Sequence, residues 1–386
     1  SVGVGYAISI NQIKNFLGCL KSGRIVDHAT LGAQVAMSED RRVTVSDIVE
    51  TSDAYRRGLR YADEIVSFGG RAIDTPNAFK NVLGIFPKGW RVPLSHRRNG
   101  KRFDILVRLA GVHTESDLLE NLSARPKPGP MPLPKPGDKP EGPKPPDKKP
   151  AERPKHEDGP LPTPDGHPLV PGMPAPPPMP EIVKKHFEEK RGYANYYFNR
   201  LNRDRVWTAW KARGSFSSLM KTWTMVGPLD GGGEFHILLD DTGAVLKVPA
   251  GETKWTASDE LGSSLLPNGS GGLLPALYLM RRLAIVPPDA YGEVFYLGAA
   301  PLAGRRQPAD VVVARYGGVE CRSYFDPRDG LLLCLEMYPE ENADPCEIYF
   351  SDYREVEGRQ VPGRMKVVHG DETFGSFKLE RITFEK

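Results

Sequence analysis

The sequence predicts a multidomain α+β protein in which helices and antiparallel sheets occupy two separate folded regions. Prolines concentrate in the middle of the chain, where residues 126–180 hold 22 of the 37 prolines and no Phe, Tyr or Trp. On either side, apolar residues recur with a helical period in some segments and with a period of two in others. Turn signals such as Asn99-Gly100 and "DPRDG" at 326–330 separate the extended segments, as in antiparallel hairpins.

The proline-rich middle cannot bury enough apolar surface to offset its ordering entropy. We therefore interpret residues 113–182 as a disordered linker that works as a stiff, extended spacer. A second interpretation stays open, because "PMPLP" and "PAPPPMP" have the spacing of ligands for aromatic proline-binding grooves. The linker divides the chain into expected domains at 1–24, 25–112 and 183–386.

Composition excludes several classes of function. The formal net charge of +3 is too small to indicate nucleic-acid binding, and no apolar run reaches the length of a membrane span. None of the four cysteines lies in a C-x-x-C pair or at metal-ligand spacing with a histidine, so we expect no metal and no cofactor. Cys321 and Cys334 flank one hairpin. If the loop has five residues, the two cysteines lie on opposite faces of the hairpin; if it has four, they could form a disulfide. The cysteines therefore do not indicate whether the protein works in an oxidising or a reducing compartment.

The first folded region begins with "SVGVGYAI", whose two glycines are followed by residues that continue extended instead of opening a helix. A dinucleotide-binding loop is therefore not expected. "INQIKNFLGCLKSGR" predicts a helix that stops near Gly23. Short strands follow in "LGAQVA", "VTVSDIV" and "DEIVSFGG". "TPNAFKNVL" predicts a short helix capped by Thr75, and Asn99-Gly100 predicts the turn of a closing hairpin.

This order of elements resembles a PDZ domain, and "SDAYRRGLRYADEIVSFGGRAI" carries the resemblance. The matching positions are Ser52, Ala54, Gly58, Leu59, Asp63, Ile65 and Gly70. Two residues depart from the family pattern: Asp53 stands where proline is common, and Ala62 replaces the usual glycine. If that turn needs a positive φ, Ala62 is strained there. The resemblance implies a β-sandwich-like domain over residues 25–112.

The PDZ resemblance also implies a binding site for polypeptide C-termini or unfolded protein. A peptide would add a strand to the sheet while backbone N–H groups capture its carboxylate. By resemblance, Thr30, Leu31, Gly32 and Ala33 form the carboxylate loop. Phe79 and Val82 on the short helix are the candidates to line the groove.

A strand and a helix that lead into a PDZ domain resemble the HtrA/Deg family of trypsin-like serine proteases. In that family they end the protease domain, and the catalytic triad precedes them, so no catalytic residue is expected in this chain. The start, without Met or an apolar leader, resembles a cut edge. The resemblance implies a peptide-recognition and regulatory segment of a periplasmic or envelope endopeptidase, and it allows an oligomer.

"NGSGG" at 268–272 resembles the serine-protease nucleophile motif, but its residue order differs from the family pattern. Ser270 would be the nucleophile, with His236 and Asp240 or Asp241 as partners. The other interpretation, which we favour, is a turn before the helix "LLPALYLMRRLAI", with Ser270 near the helix start.

For the second folded region, the sequence predicts a leading helix whose aromatic stripe faces the core, a long antiparallel meander and an inserted helix near 273–285. The stripe comprises Tyr193, Tyr197, Leu201, Trp207 and Trp210. His236 alternates with apolar neighbours and is expected to face solvent.

"SYFDPRDGLLLCLEM" and "EIYFSDYREVEGRQVP" resemble LolA-like half-barrels, in which a curved antiparallel sheet wraps a helix. Asp326 and Gly330 would shape a turn. Asp352, Tyr353 and Arg354 would either contact a ligand or pair across strands, and we favour pairing. The resemblance implies an alternative function: a non-catalytic binding or scaffold protein whose half-barrel holds a lipid or another apolar partner.

Overall fold

The structure, a computed structural model, describes residues 9–124, 179–229, 232–258 and 260–385. The predicted opening strand and most of the predicted spacer lie outside these residues. The described part combines helices with open antiparallel sheets, which confirms the α+β multidomain class. Residues 114–186 contribute two helices, α4 (Glu115–Ala124) and α5 (Glu181–Lys185).

The first folded region (residues 25–113) contains eight short strands and two short helices. The strands are β1 (Ala29–Thr30), β2 (Ala33–Met37), β3 (Val43–Ile48), β4 (Glu64–Phe68), β5 (Arg71–Ala72), β6 (Arg91–Arg98), β7 (Lys101–Arg108) and β8 (Ala110–Gly111). The helices are α2 (Asp53–Arg56) and α3 (Pro76–Leu83). The main sheet has the order β2-β3-β4-β6-β7, with β5 paired to β4, and β1 pairs with β8. The region has its own hydrophobic core.

Local sequence signals place the turns of this region as predicted. Asn99 and Gly100 both have a positive φ, 49° and 78°, as the two-residue turn between β6 and β7 requires. Ala62 has a φ of 64°, so this turn does need the conformation that glycine adopts most easily. Thr75 caps α3 by accepting a hydrogen bond from Ala78 N at 3.0 Å.

Helix α1 (Ile10–Lys21) precedes the first folded region and confirms the predicted helix. Its one buried residue is Gly18, and a Cβ there would collide with the backbone of Ala299. The small residue therefore lets the helix rest directly on a strand of the second folded region, while the apolar stripe of Ile10, Leu17 and Leu20 stays exposed.

The second folded region (residues 187–386) contains three α-helices and fourteen strands within its described part. The helices are α6 (Tyr196–Lys211), α7 (Leu273–Ile285) and α8 (Pro288–Tyr291). The first strands are β9 (Trp223–Pro228), β10 (Glu234–Leu239), β11 (Gly243–Val248), β12 (Gly251–Thr256), β13 (Glu293–Ala300), β14 (Ala309–Tyr316) and β15 (Val319–Phe325). The remaining strands are β16 (Leu332–Tyr338), β17 (Cys346–Ser351), β18 (Arg354–Val356), β19 (Arg359–Val361), β20 (Arg364–His369), β21 (Glu372–Lys378) and β22 (Arg381–Phe384).

Two antiparallel sheets and two helices enclose the core of this region. The sheet orders are β13-β14-β15-β16-β17-β20-β21 and β12-β11-β10-β9-β22, and β18 pairs with β19. The inserted helix α7 has the predicted bounds, and eleven of its thirteen residues are buried. The core joins side chains from both sheets, α6 and α7.

The predicted aromatic stripe of the leading helix is wrong in part. Trp210 is buried, but Leu201 is 52% exposed, and Tyr193 lies before the helix begins. The buried face of α6 instead runs through Asn199, Arg203, Val206 and Trp210. This face was not predicted because two of its four residues are polar. A search for periodic apolar residues cannot identify a buried amide whose hydrogen-bond partners lie far away in the sequence.

The hairpin between β15 and β16 holds Cys321 and Cys334 on opposite faces. Cys321 pairs in register with Met337, and Cys334 pairs with Tyr324, so the two thiols are three positions apart and both are free. The turn between the strands is shaped as predicted: Gly330 N donates to Asp326 O at 2.9 Å.

The first folded region docks on the seven-stranded sheet through two buried carboxylates. Arg108 Nη2 lies 2.6 Å from Glu336 Oε1 on β16, and Arg91 makes two hydrogen bonds with Glu347 on β17. Glu347 is fully buried and Glu336 is 2% exposed. Burial alone would raise the pKa of Glu336, but Arg108, Arg91 and Arg322 hold it below its ordinary value.

Candidate peptide-binding site

The predicted carboxylate loop, Thr30–Ala33, joins β1 to β2 and turns sharply at Gly32. Gly32 has a φ of 73°, and a Cβ there would collide with Ser52. Its carbonyl accepts a hydrogen bond from Val49 N at 2.8 Å, and its N–H donates to Thr30 Oγ1 at 3.1 Å. The Leu31 N–H has no acceptor among the described residues. The loop is thus held by its neighbours, and the N–H of the buried Leu31 is left without an acceptor among the described residues.

The strand after the loop lies at the edge of its sheet. β2 pairs with β3 on one side, and no other strand of the described part pairs with its second side. Helix α3 lies next to β2. An edge strand presents unpaired backbone groups, and a peptide can be added to such an edge as a further strand.

Phe79 and Val82 face the core of the first folded region. They are 3% and 6% exposed, and the ring centroids of Phe79 and Phe68 are 5.2 Å apart. Val35 on β2 and Leu83 on α3 are only partly buried and pack against the same core, so each keeps some exposed apolar surface. Sequence reasoning missed these two residues, although their positions on the edge strand and on the short helix were the available signal.

Helix α2 sits behind the loop and carries a group of paired charges. Ser52 caps it, and Asp53 Oδ2 accepts a hydrogen bond from Arg108 N at 2.6 Å, which gives the unexpected Asp53 a structural role. The side chain of Arg57 is 6% exposed. Burial alone would lower the pKa of Arg57, but Asp53, Asp344 and Asp371 together raise it.

The residues considered as a catalytic triad, Ser270, His236 and Asp240, each form contacts unrelated to catalysis. Ser270 is fully buried; its hydroxyl donates to Pro267 O at 2.6 Å and accepts from Leu273 N, the first N–H of α7, at 3.0 Å. The side chain of His236 is 42% exposed and lies 3.7 Å from Glu234. Asp240 accepts hydrogen bonds from its own turn, as from Thr242 N at 2.8 Å.

The trio in the second folded region pairs within the protein. Asp352 Oδ2 lies 3.1 Å from Arg364 Nε, Tyr353 donates to Leu332 O, and Arg354 donates to Glu380 O at 2.8 Å. These contacts agree with pairing across strands. In the part of the chain that the structure describes, no cluster of three His, Cys, Asp or Glu could hold a metal ion, and no helix is long and apolar enough to cross a membrane.

Comparison with protein families assigns the first folded region. The family model described as "PDZ domain" matches residues 29–109. Residues 29–109 form a PDZ domain. A probable periplasmic serine endoprotease DegP-like from Chlamydia trachomatis is 29% identical over 125 residues, which are 30% of this chain and 25% of the relative. The periplasmic serine endoprotease DegP of Escherichia coli is 27% identical over 120 residues, which are 28% of this chain and 25% of that protein.

The chain spans about a quarter of the length of these curated relatives. Among solved structures, a serine endoprotease from Yersinia pestis aligns with 23% of this chain and 30% of its own, at 15% identity and a TM-score of 0.20. A putative outer membrane lipoprotein-sorting protein domain from Vibrio parahaemolyticus aligns with 47% of this chain and 91% of its own, at 13% identity and a TM-score of 0.30.

Proposed function

We propose that the PDZ domain binds the C-termini of polypeptides by adding them as a strand to β2. The peptide carboxylate lies at the Thr30–Ala33 loop and accepts hydrogen bonds from backbone N–H groups there. The unpaired edge of β2, directly after a tight loop whose Leu31 N–H has no acceptor among the described residues, is the observation that carries this proposal. Val35 and Leu83 contact the apolar side chain at the peptide end, above a floor of Phe79 and Val82.

We further propose that the chain is the substrate-recognition and regulatory segment of a serine endopeptidase of the periplasm or cell envelope. The similarity to proteins described as periplasmic serine endoproteases supports this wider role. The ligands would be polypeptide C-termini or unfolded protein. A lipid ligand for the second folded region has less support, because α7 is buried and packs against strands of both sheets.

Calorimetry on the whole chain tests peptide binding. A library of nine-residue peptides with hydrophobic C-termini is measured as free acids and as amides. Because each hydrogen bond to a charged group contributes about 1.5–3 kcal/mol, amidation is expected to weaken binding about tenfold or more. Equal affinity for acid and amide would rule out the carboxylate role of the loop.

A substitution pair distinguishes the groove from the core below it. Leu83→Ala is expected to weaken binding of peptides that end in a large apolar residue more than binding of peptides that end in alanine. Phe79→Ala removes a buried ring and costs about 3–5 kcal/mol of stability, so its effect on binding must be measured below its lowered unfolding temperature. If Leu83→Ala leaves the preference between peptide ends unchanged, Leu83 does not contact the peptide.

A further inference from the structure

We propose that the second folded region braces the PDZ groove, so that peptide affinity depends on contacts between the two regions. This inference rests on the proposed peptide binding. Two separate contacts carry it. One reaches the carboxylate loop through α2, and the other reaches the end of α3.

The first brace runs from the second folded region to the loop through Arg57. Arg57 pairs with Asp344, before β17, and its Nη1 lies 3.2 Å from Asp371 Oδ2 in the turn after β20. The same guanidinium lies 3.3 Å from Asp53, the first residue of α2. Ser52, which caps α2, is the residue that a Cβ at Gly32 would strike. The loop is therefore packed on a one-turn helix whose position is set by carboxylates of the other region.

The second brace holds the C-terminal end of α3. The last carbonyls of a helix have no partner within the helix. Here, side chains of α1 donate to the backbone just beyond α3: Gln12 Nε2 lies 3.2 Å from Gly84 O, and Asn15 Nδ2 lies 2.9 Å from Ile85 O. Helix α1 is in turn seated on β13 through Gly18. The helical wall of the groove is thus tied to the second folded region as well.

The docking contact makes both braces effective. Arg91 and Arg108 are bound to the buried Glu347 and Glu336, and Trp90 Nε1 donates to Ala299 O at 3.2 Å. Opening this contact would leave buried charges without partners, which is costly. The two states that differ are the docked and the undocked PDZ domain. Docking fixes the Thr30–Ala33 loop and α3 before a peptide binds. Less conformational entropy is then lost on binding, and the peptide affinity rises.

Fluorescence anisotropy on the whole chain tests this bracing, with a fluorescein-labelled nine-residue peptide that ends in a free-acid leucine. Asp344→Asn combined with Asp371→Asn neutralises the first brace at nearly constant shape. Gln12→Ala combined with Asn15→Ala removes the second. Each pair is expected to weaken peptide binding about fivefold or more, a typical size for coupling between sites. Thermal unfolding confirms that each variant is folded at the temperature of the measurement.

Glu341→Gln is the matched control. Glu341 forms an ion pair with Lys88 across the same pair of regions, at 3.3 Å, but it contacts neither α2 nor α3. This variant is expected to bind within twofold of the unsubstituted chain. An equal loss in the control would show that the effect does not pass through the braces, and it would overturn the inference.

The outcomes separate this inference from the proposed function. If the unsubstituted chain does not discriminate between the free-acid peptide and its amide, carboxylate capture itself fails. If it does discriminate, and both brace variants bind as tightly as the unsubstituted chain or more tightly, only the bracing is wrong. Amide hydrogen exchange gives a second readout: residues 30–37 and 76–85 are expected to exchange faster in the brace variants without peptide.

Discussion

At the scale of single residues, Gly32 combines two constraints that can be separated by experiment. Its φ of 73° costs any other residue conformational strain, and a Cβ would also strike Ser52. Gly70 has nearly the same φ, 75°, with nothing near its missing Cβ. Gly32→Ala is expected to abolish most peptide binding, whereas Gly70→Ala carries only the conformational strain, about 1–2 kcal/mol, and keeps the affinity. Calorimetry with one free-acid peptide compares them, and an equal loss in both would contradict the role of the loop.

Ser270 supplies a second test at this scale. Its hydroxyl already donates to Pro267 and accepts from the start of α7, and no histidine acts as its base among the described contacts. The chain is therefore expected to show no labelling by an active-site-directed fluorophosphonate at Ser270. Mass spectrometry after treatment checks this. Labelling that disappears in Ser270→Ala would contradict this structural role of the Ser270 hydroxyl.

The residues that sequence reasoning placed correctly act through their own neighbours. Ala62, Asn99 and Asp326 shape turns a few residues long, and local conformational rules suffice to predict them. Asn199 and Arg203 could not be foreseen, because their partners lie far away in the sequence. Asn199 Nδ2 donates to Ser22 O and Tyr296 O at 2.8 Å each, and its Oδ1 accepts from Tyr296 N.

At the scale of elements, Asn199 joins α6 to β13 and to Ser22, the residue directly after α1, through those three hydrogen bonds. Replacing it with leucine leaves three backbone groups without their partner, each costing about 1–3 kcal/mol where the group stays buried. Asn199→Leu is expected to lower the free energy of unfolding by about 3 kcal/mol in urea. Asn202→Leu, on the exposed side of the same helix, is expected to cost less than about 1 kcal/mol. Similar costs for both variants would contradict the joining role of Asn199.

Most successive strands pair with their neighbours, as the predicted meander requires, but the meander is divided into two sheets, and the pairings of β22 with β9 and of β1 with β8 join strands far apart in the sequence, which local signals could not predict. The docking of the two regions did not. Glu336 and Glu347 stand inside the apolar runs "LLLCLEMY" and "CEIYF", and a carboxylate in such a run was the available signal for a charged partner. The identity of that partner, an arginine more than two hundred positions away, is a property of the folded chain.

At the scale of the whole molecule, the buried carboxylates predict a pH dependence. The folded-state pKa of Glu336 lies below 4.5, so its ionised form stabilises the fold fully above that pH, and the contribution is lost as the pH falls through the lowered pKa. The unfolding temperature of Glu336→Gln is expected to be lower than that of the unsubstituted chain near pH 7, and the two are expected to converge only as the pH falls to about 2 or below. Scanning calorimetry across this range checks it, and parallel curves would contradict the assignment.

The proline-rich sequence predicts protease cleavage between residues 113 and 182. Because Arg91 and Arg108 bind buried carboxylates of the other region, the two halves are expected to stay together after the cut. Size-exclusion chromatography of the cleaved protein checks this at micromolar concentration. Halves that separate under conditions where both remain folded would contradict a stable docking contact.

The central claim, capture of a peptide C-terminus at the Thr30–Ala33 loop, is tested most directly by mapping the bound peptide in solution. In TROSY spectra of the whole ¹⁵N-labelled chain, a free-acid peptide is expected to shift the amide signals of residues 30–37 and of α3 most strongly. The same peptide as an amide is expected to leave the loop signals nearly unchanged at equal concentration. Identical shifts from both peptides, or shifts confined to another surface, would contradict the claim.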